Sequence, residues 1–275
     1  MAGIKEIKQY IAEIKKENGR QLTNYYNNFE GKNTEINFVK DEKGIVFWGD
    51  ENGIPRVFFS CSDEEVLSRL LMNVPSGSVL DIISKNTEDL RQAILRSGME
   101  KYAVYGRMSG YCASEKLKKE AARNISSIIE AGFYKRENTF LGTMDDVDFI
   151  MDKLKEIFDP LTAHLCTREE LCDFIKKEWV FVYKEHGEIK GFYIVQREGC
   201  KQYGYQIWNG TGVEAAYSMN LRCNEESEKL GTIKYGFCWV DMANKKAIRF
   251  NRMWGNEFDG LYDVVYKKGV ILVEK

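Results

Sequence analysis

The residues best placed for chemistry are Asn209, Gly210, Thr211 and Gly212. They follow an apolar, strand-like run from Tyr203 to Trp208. They open a stretch in which Val213, Ala216, Tyr217 and Leu221 recur at helical spacing and which Gly231 ends. A strand that enters Gly-x-Gly and then a helix makes a seat for an anion. Glycine lets the backbone come close, and the first helical turn offers unbonded N–H groups at the positive end of the helix dipole. A pyrophosphate fits on Gly210, Thr211, Gly212 and Val213; a plain tight turn fits the same spacing. The turn is not followed by Gly-Lys-Ser/Thr. Ala215 stands where a third glycine would complete a dinucleotide fingerprint.

Other reactive residues are sparse. Seven cysteines occur with no Cys-x-x-Cys, so neither a disulfide framework nor a zinc knuckle is expected. With only His164 and His186, a histidine-rich metal site is ruled out, and no metal is expected. Cys223 and Cys238 have no histidine near in sequence and read as buried thiols. His186, beside Gly187, reads as a turn residue. Asp145, Asp146 and Asp148 lack calcium-loop spacing and read as a linker. Trp208 and Trp254 flank the candidate loop.

The elements that must position this loop come from hydrophobic periodicity. Ile4, Ile7, Ile11 and Ile14 predict a helix ended by Asn18-Gly19. Gly44–Trp48 and Ile54–Phe59 predict a hairpin, followed by a Ser62/Glu65 capping box ahead of Val66, Leu67, Leu70 and Leu71. Strands at 79–83 and 102–108 alternate with helices at 90–98 and 114–131, and 133–141 is read as extended. Beyond a turn-prone stretch at 142–148 the grammar repeats. A helix at 147–158 and a Thr167/Glu170 capping box lead to a hairpin around Glu185-His186-Gly187-Glu188. The candidate strand and helix come next, then a strand at 232–240, a helix at 244–253 and a strand at 261–266. The expected boundary lies at 144/145, giving domains 1–144 and 145–275 of mixed α/β (α+β) class.

Composition narrows the class. Forty basic and 42 acidic side chains in 275 residues leave a formal net charge of −2. Residues 1–144 hold 21 basic and 20 acidic groups, so neither half carries the basic track that nucleic acid needs. No apolar run reaches membrane-spanning length, and the N-terminus lacks the apolar core of a signal peptide. The expectation is a cytoplasmic protein touching neither nucleic acid nor membrane.

Residues 148–267 resemble the GNAT N-acetyltransferase superfamily. The resemblance rests on the hairpin Val180–Phe192, on the strand Tyr203–Trp208 and on Asn209–Glu214, which falls on the family's pyrophosphate loop. It extends to Val240–Phe250 and to Gly255 with Asp259-Gly260-Leu261. Residues 1–144 resemble a diverged second copy, so the fold implied is two GNAT-like domains, each a mixed, mostly antiparallel sheet with flanking helices. The resemblance implies acyl transfer, simplest as acetyl transfer from acetyl-CoA, to a small-molecule or peptide amine. Carried over by position, the pantetheine arm lies along Gln206, Ile207 and Trp208. The phosphates then sit on Asn209, Gly210, Thr211, Gly212, Val213 and Glu214, with Asn244 near the arm.

Two departures point to the alternative, a GNAT-fold binding or regulatory protein without catalysis. Glu214 puts a carboxylate where the family has a small residue; like charges at about 4 Å in a surface-like dielectric cost about 4 kcal/mol. Asn251 stands where many members have a proton-donating tyrosine. Tyr205, Tyr217 and Tyr262 are other phenols of the region, and the general acid stays unassigned. In the first half Ser62-Asp63-Glu64-Glu65 replaces the glycine loop, so that copy is expected to bind no CoA.

Overall fold

The computed structural model describes residues 3–24 and 36–269. The chain forms two compact units, Met1–Val104 with Leu261–Lys275, and Tyr105–Gly260. This division differs from the boundary expected at 144/145. Residues 105–144 group with the segment 145–260, and the last strand groups with the first unit. The linker reading of 142–148 fails for a local reason. Thr143 and Asp146 form a capping box, and Asp146, buried, pairs with Lys184 at 2.7 Å.

The first unit begins with α1 (Ile4–Asn18), whose Ile7 and Ile14 are buried at helical spacing. β1 (Leu22–Thr23), β2 (Asn37–Lys40), β3 (Gly44–Glu51) and β4 (Ile54–Cys61) come after it. Asn52 and Gly53, both at positive φ, turn β3 into β4. Next are α2 (Glu64–Leu71), β5 (Val79–Ser84) and α3 (Arg91–Arg96). The sheet order is β2-β3-β4-β5, continued by residues 262–267 of the last strand. β4 and β5 are parallel but pair only at Arg56, Val57, Val79 and Leu80. Val46, Phe59, Leu67, Leu71, Leu80 and Tyr266 form its core. At roughly 1.5–3 kcal/mol per fully buried large side chain, that cluster is what holds the sheet to α2.

The cap of α2 is not Ser62. Asp63 is the N-cap, its carboxylate accepting from Val66 N–H at 2.9 Å, and Ser62 donates to Asp63. Asp63 is the residue that adjoins the helix, and its carboxylate captures the orphan amide.

β6 (Met99–Ser109) carries the chain into the second unit at Tyr105. It leads to α4 (Glu115–Glu130), β7 (Thr139–Leu141), α5 (Val147–Ile157), α6 (Arg168–Lys176), β8 (Val180–Glu185), β9 (Glu188–Glu198), β10 (Lys201–Asn209), α7 (Val213–Leu230), β11 (Tyr235–Asp241), α8 (Lys245–Met253) and β12 (Glu257–Lys268). Only 139–141 of the stretch read as extended is strand; Arg136–Asn138 is a 3-10 turn. The Thr167/Glu170 capping box forms as expected. His186 and Gly187, both at positive φ, make the β8–β9 turn. The sheet order is β6-β11-β10-β9-β8-β7, antiparallel except for β10 with β11. α5 and α6 cover one face through Ile150, Leu171, Val182, Phe192 and Ile194. α7 covers the other through Phe181, Val195, Ala215 and Met219. In both units, a hairpin thus leads through a helix to a parallel neighbour.

Candidate functional site

The candidate site is a split between two parallel strands. β10 and β11 pair from Lys201–Gly204 to Tyr235–Cys238 and no further. β11 continues against β6 to Asp241, and β10 continues against β9 to Asn209. The cause of the parting is local. On β9, Val195 faces Gly204 and the next residue, Ile194, faces Gln206, so Tyr205 is an extra, bulged residue. From Gln206 onward the edge of β10 toward β11 has no strand partner among the described residues. Backbone N–H and C=O groups are left there for a ligand.

The first unit has the same split, filled by its own chain. β1 pairs with Ser60 and Cys61 of β4. Buried Asn24 donates to the carbonyls of Val57 and Asp81, each at 3.0 Å, and accepts from Phe59 N–H at 2.8 Å.

The bulge is braced from the α5–α6 connection. Tyr205 donates its hydroxyl to the carbonyl of His164, which sits at φ 44°. Gln206 Nε2 donates to the carbonyl of Ala163 at 3.3 Å, and Tyr105 donates to Thr162 at 2.8 Å. Gln206 is 3% exposed and its Oε1 has no partner, a buried acceptor facing an unmet demand. His164 thus contributes to the bracing through its backbone.

The loop after β10 is partly satisfied from within. Gly210 N–H donates to Lys190 O at 2.8 Å, and Thr211 N–H donates to the side chain of Asn209 at 3.2 Å. At Gly210 a Cβ would lie 2.5 Å from the ring of Trp208, so any other residue must displace that ring. Gly212 differs. It is the N-cap of α7, no side chain caps that helix, and a Cβ there would meet nothing within 4 Å. The open amides are therefore those of Gly212 and the first turn of α7, not Gly210 and Thr211. Glu214 is half-buried in that turn. Burial, first of all, pushes the phenol of Tyr183 on β8 up, with smaller upward contributions from Glu185 and Glu214.

Gln206, Ile207 and Trp208, the residues expected along a pantetheine arm, lie on the stretch of β10 whose edge toward β11 is unpaired, and Asn209–Val213 join it to α7. Asn244 is the exposed N-cap of α8, accepting from Ala247 N–H at 3.0 Å. Because β10 and β11 run parallel, Asn244 is at the same end of the sheet as the loop. Trp208 packs between Phe149 and Phe192, with centroids 5.8 and 5.7 Å away, and lines a cavity of 670 Å³ with Lys153, Lys184 and Lys190. Trp254 instead joins Tyr217 and Phe250, which stack at 6.1 Å between α7 and α8.

Asn251 is committed to structure. Its Oδ1 accepts from Cys238 Sγ at 3.1 Å and from Asn256 at 3.3 Å, and its Nδ2 donates to Ala247 O. Burial pushes the Cys238 thiol up to about 12 and the Cys223 thiol up to about 11, so neither is a thiolate near neutral pH. Tyr262 belongs to the other unit. Among the described residues no group of three His, Cys, Asp or Glu is placed to hold a metal ion, and no helix is long and apolar enough to cross a membrane.

A split parallel pair, a bulge at its fork and a helix N-terminus beyond it are set in a fold that solved structures of known proteins share. A GNAT-family acetyltransferase from Colwellia psychrerythraea superposes with a TM-score of 0.55 at 9% identity, over 98% of each chain. The chain has the GNAT acetyltransferase fold. A tandem GNAT protein from the clavulanic acid biosynthesis pathway gives a TM-score of 0.54 at 8% identity, over 95% of this chain and 94% of that one. A GCN5-related N-acetyltransferase from Sphaerobacter thermophilus gives 0.52 at 13%, over 97% and 93%. No family model and no curated protein sequence matches. Two features of this GNAT fold were not read from sequence: Asn24 in the first split and the ion pair of Arg107 with Asp259 at 2.5 Å. Neither has a local pattern.

Proposed function

We propose that the chain is a tandem GNAT protein whose second unit is an acyl-CoA-dependent N-acyltransferase, simplest as an N-acetyltransferase. Its acceptor is a small-molecule or peptide amine. The observation that carries this reading is the unpaired edge of β10 running from beyond the Tyr205 bulge into the uncapped start of α7. An acyl-CoA would supply a thioester whose acyl carbon bonds the nitrogen of the neutral amine as the C–S bond breaks; the proton that the nitrogen loses ends on the departing sulfur, giving CoA thiol. The backbone of Gln206, Ile207 and Trp208 takes the pantetheine arm as a strand would. The amides of Gly212, Val213 and Glu214 take the pyrophosphate, while Asn209, Gly210 and Thr211 shape the turn. Asn244 stands at the same mouth. The chain acts mainly by positioning, with backbone donors beside the bulge facing the developing oxyanion. The reading is of a cytoplasmic protein that uses no metal and touches neither nucleic acid nor membrane.

A second reading, a GNAT-fold binding module, draws on the prior engagement of the Gly210 and Thr211 amides and on the structural commitment of Asn251. Hydrogen exchange separates the two. The acyltransferase reading expects acetyl-CoA to slow exchange at Gly212–Ala215 and leave the start of α2, capped by Asp63, unchanged. Absence of protection at both helices favours the binding module.

A further inference from the structure

Arg107 on β6 faces Trp239 on β11, and its Nε donates to Asp259. The guanidinium lies 5.5 Å from the centre of the Phe237 ring, which itself stacks on Tyr203 at 5.2 Å. Tyr111 and Tyr235, 6.0 Å apart, make another wall. Arg107, Tyr111, Tyr235, Phe237 and Asp259, with Ser109 and Cys112, line a cavity of about 370 Å³. Tyr203 is the register partner of Phe237 and touches Tyr205, so the cavity adjoins the closed end of the split.

The polarity of this cavity is decided by exposure. Both side chains line the cavity, but Asp259 is 14% exposed and Arg107 is 36% exposed, so the guanidinium is the more accessible partner. Among the described residues the Arg107 side chain makes no hydrogen bond other than the one from Nε. Its two terminal amino groups are thus oriented by Asp259 and Phe237 and left as a planar fork, the geometry that grips a carboxylate with two bonds. No lysine lines the cavity, and Asp259 cancels the charge of Arg107. That favours a monoanion over a phosphate. The aromatic walls suit an apolar body attached to it.

We propose that this cavity is a carboxylate-recognition site, and that the acceptor amine carries a carboxylate and an apolar side group, as an aromatic amino acid does. The carboxylate site stands on the geometry of Arg107; its role in holding an acceptor rests on the acyltransferase reading.

The test is calorimetry on the full chain without any acyl donor, using L-phenylalanine, 3-phenylpropionate and 2-phenylethylamine. L-phenylalanine and phenylpropionate are expected to bind with a Kd of about 1 mM or tighter, and phenylethylamine, lacking the carboxylate, about tenfold or more weakly. Arg107→Gln is expected to erase that difference, and Arg107→Lys, which keeps the charge and loses the fork, to reduce it. Both variants should bind acetyl-CoA like the wild type, which also reports that they are folded. Phenylethylamine binding as tightly as L-phenylalanine overturns the proposal, as does a preference surviving in Arg107→Gln or no L-phenylalanine binding at about 10 mM. If L-phenylalanine binds through Arg107 but acetyl-CoA does not bind, the carboxylate site stands and the acyltransferase reading falls.

Discussion

The side-chain amide of Asn24 donates to the backbone carbonyl of Asp81 at 3.0 Å, joining the end of β1 to a strand 57 residues away. With its bonds to Val57 and Phe59, this one side chain satisfies three backbone groups that the fork between β4 and β5 exposes. The equivalent fork between β10 and β11 has no such plug among the described residues. The first unit has filled its split with its own chain, and the second has kept it open.

Asn24→Ala removes those three bonds and strands buried partners. A loss of about 3 kcal/mol of unfolding free energy is expected, read from urea denaturation, with acetyl-CoA affinity unchanged. A loss under about 0.5 kcal/mol would mean that the fork is closed by something else.

Gly210 and Gly212 should respond unequally to the same substitution. Gly210→Ala drives a Cβ to 2.5 Å from the Trp208 ring, which Phe149 and Phe192 hold in place, and is expected to cost about 1–3 kcal/mol. Gly212→Ala puts a Cβ into open space and is expected to shift stability by less than about 0.5 kcal/mol. Thermal melts of the two variants decide the point, and equal effects would contradict the loop geometry.

The cap of α2 gives a pH-dependent test. The Val66 amide, followed by the Ser62 hydroxyl, holds the Asp63 carboxyl below the usual carboxylate range. A depressed native pKa adds stability that is complete above the unfolded pKa and lost as pH falls through the native one. Asp63→Ala is expected to cost about 1 kcal/mol at neutral pH. Asp63→Asn keeps a capping oxygen and loses the acid-side decline, measurable from urea midpoints against pH.

Thiol reactivity checks the assignment of the cysteines to structure. Burial holds the thiols of Cys61 and Cys238 at about 12 and that of Cys223 at about 11. At about pH 8 these three are expected to resist iodoacetamide until the protein is unfolded, as mass spectrometry would register. Rapid native labelling of Cys238 would reveal an activated thiol beside the split.

What could be read from sequence was local. The β8–β9 turn is written in His186-Gly187, the start of α6 in Thr167 and Glu170, and the candidate loop in Gly210-x-Gly212. Each depends on residues a few positions apart. The features that escaped are long-range. Arg107 and Asp259 are 152 residues apart, and Asn24 and Asp81 are 57. The pairing of 262–267 with β5, which puts the last strand in the first unit, is long-range in the same way. The cap of α2 was missed by one residue because Ser62 and Asp63 both carry capping oxygens.

The central claim is that the open start of α7 holds the pyrophosphate of an acyl-CoA. It is tested most directly by calorimetric titration of acetyl-CoA into the full chain and into Gly212→Glu. The account predicts a Kd on the order of micromolar for the native chain and no detectable binding for the variant, at comparable melting temperatures. Absence of binding by the native chain at about millimolar acetyl-CoA, or equal binding by Gly212→Glu, would contradict it.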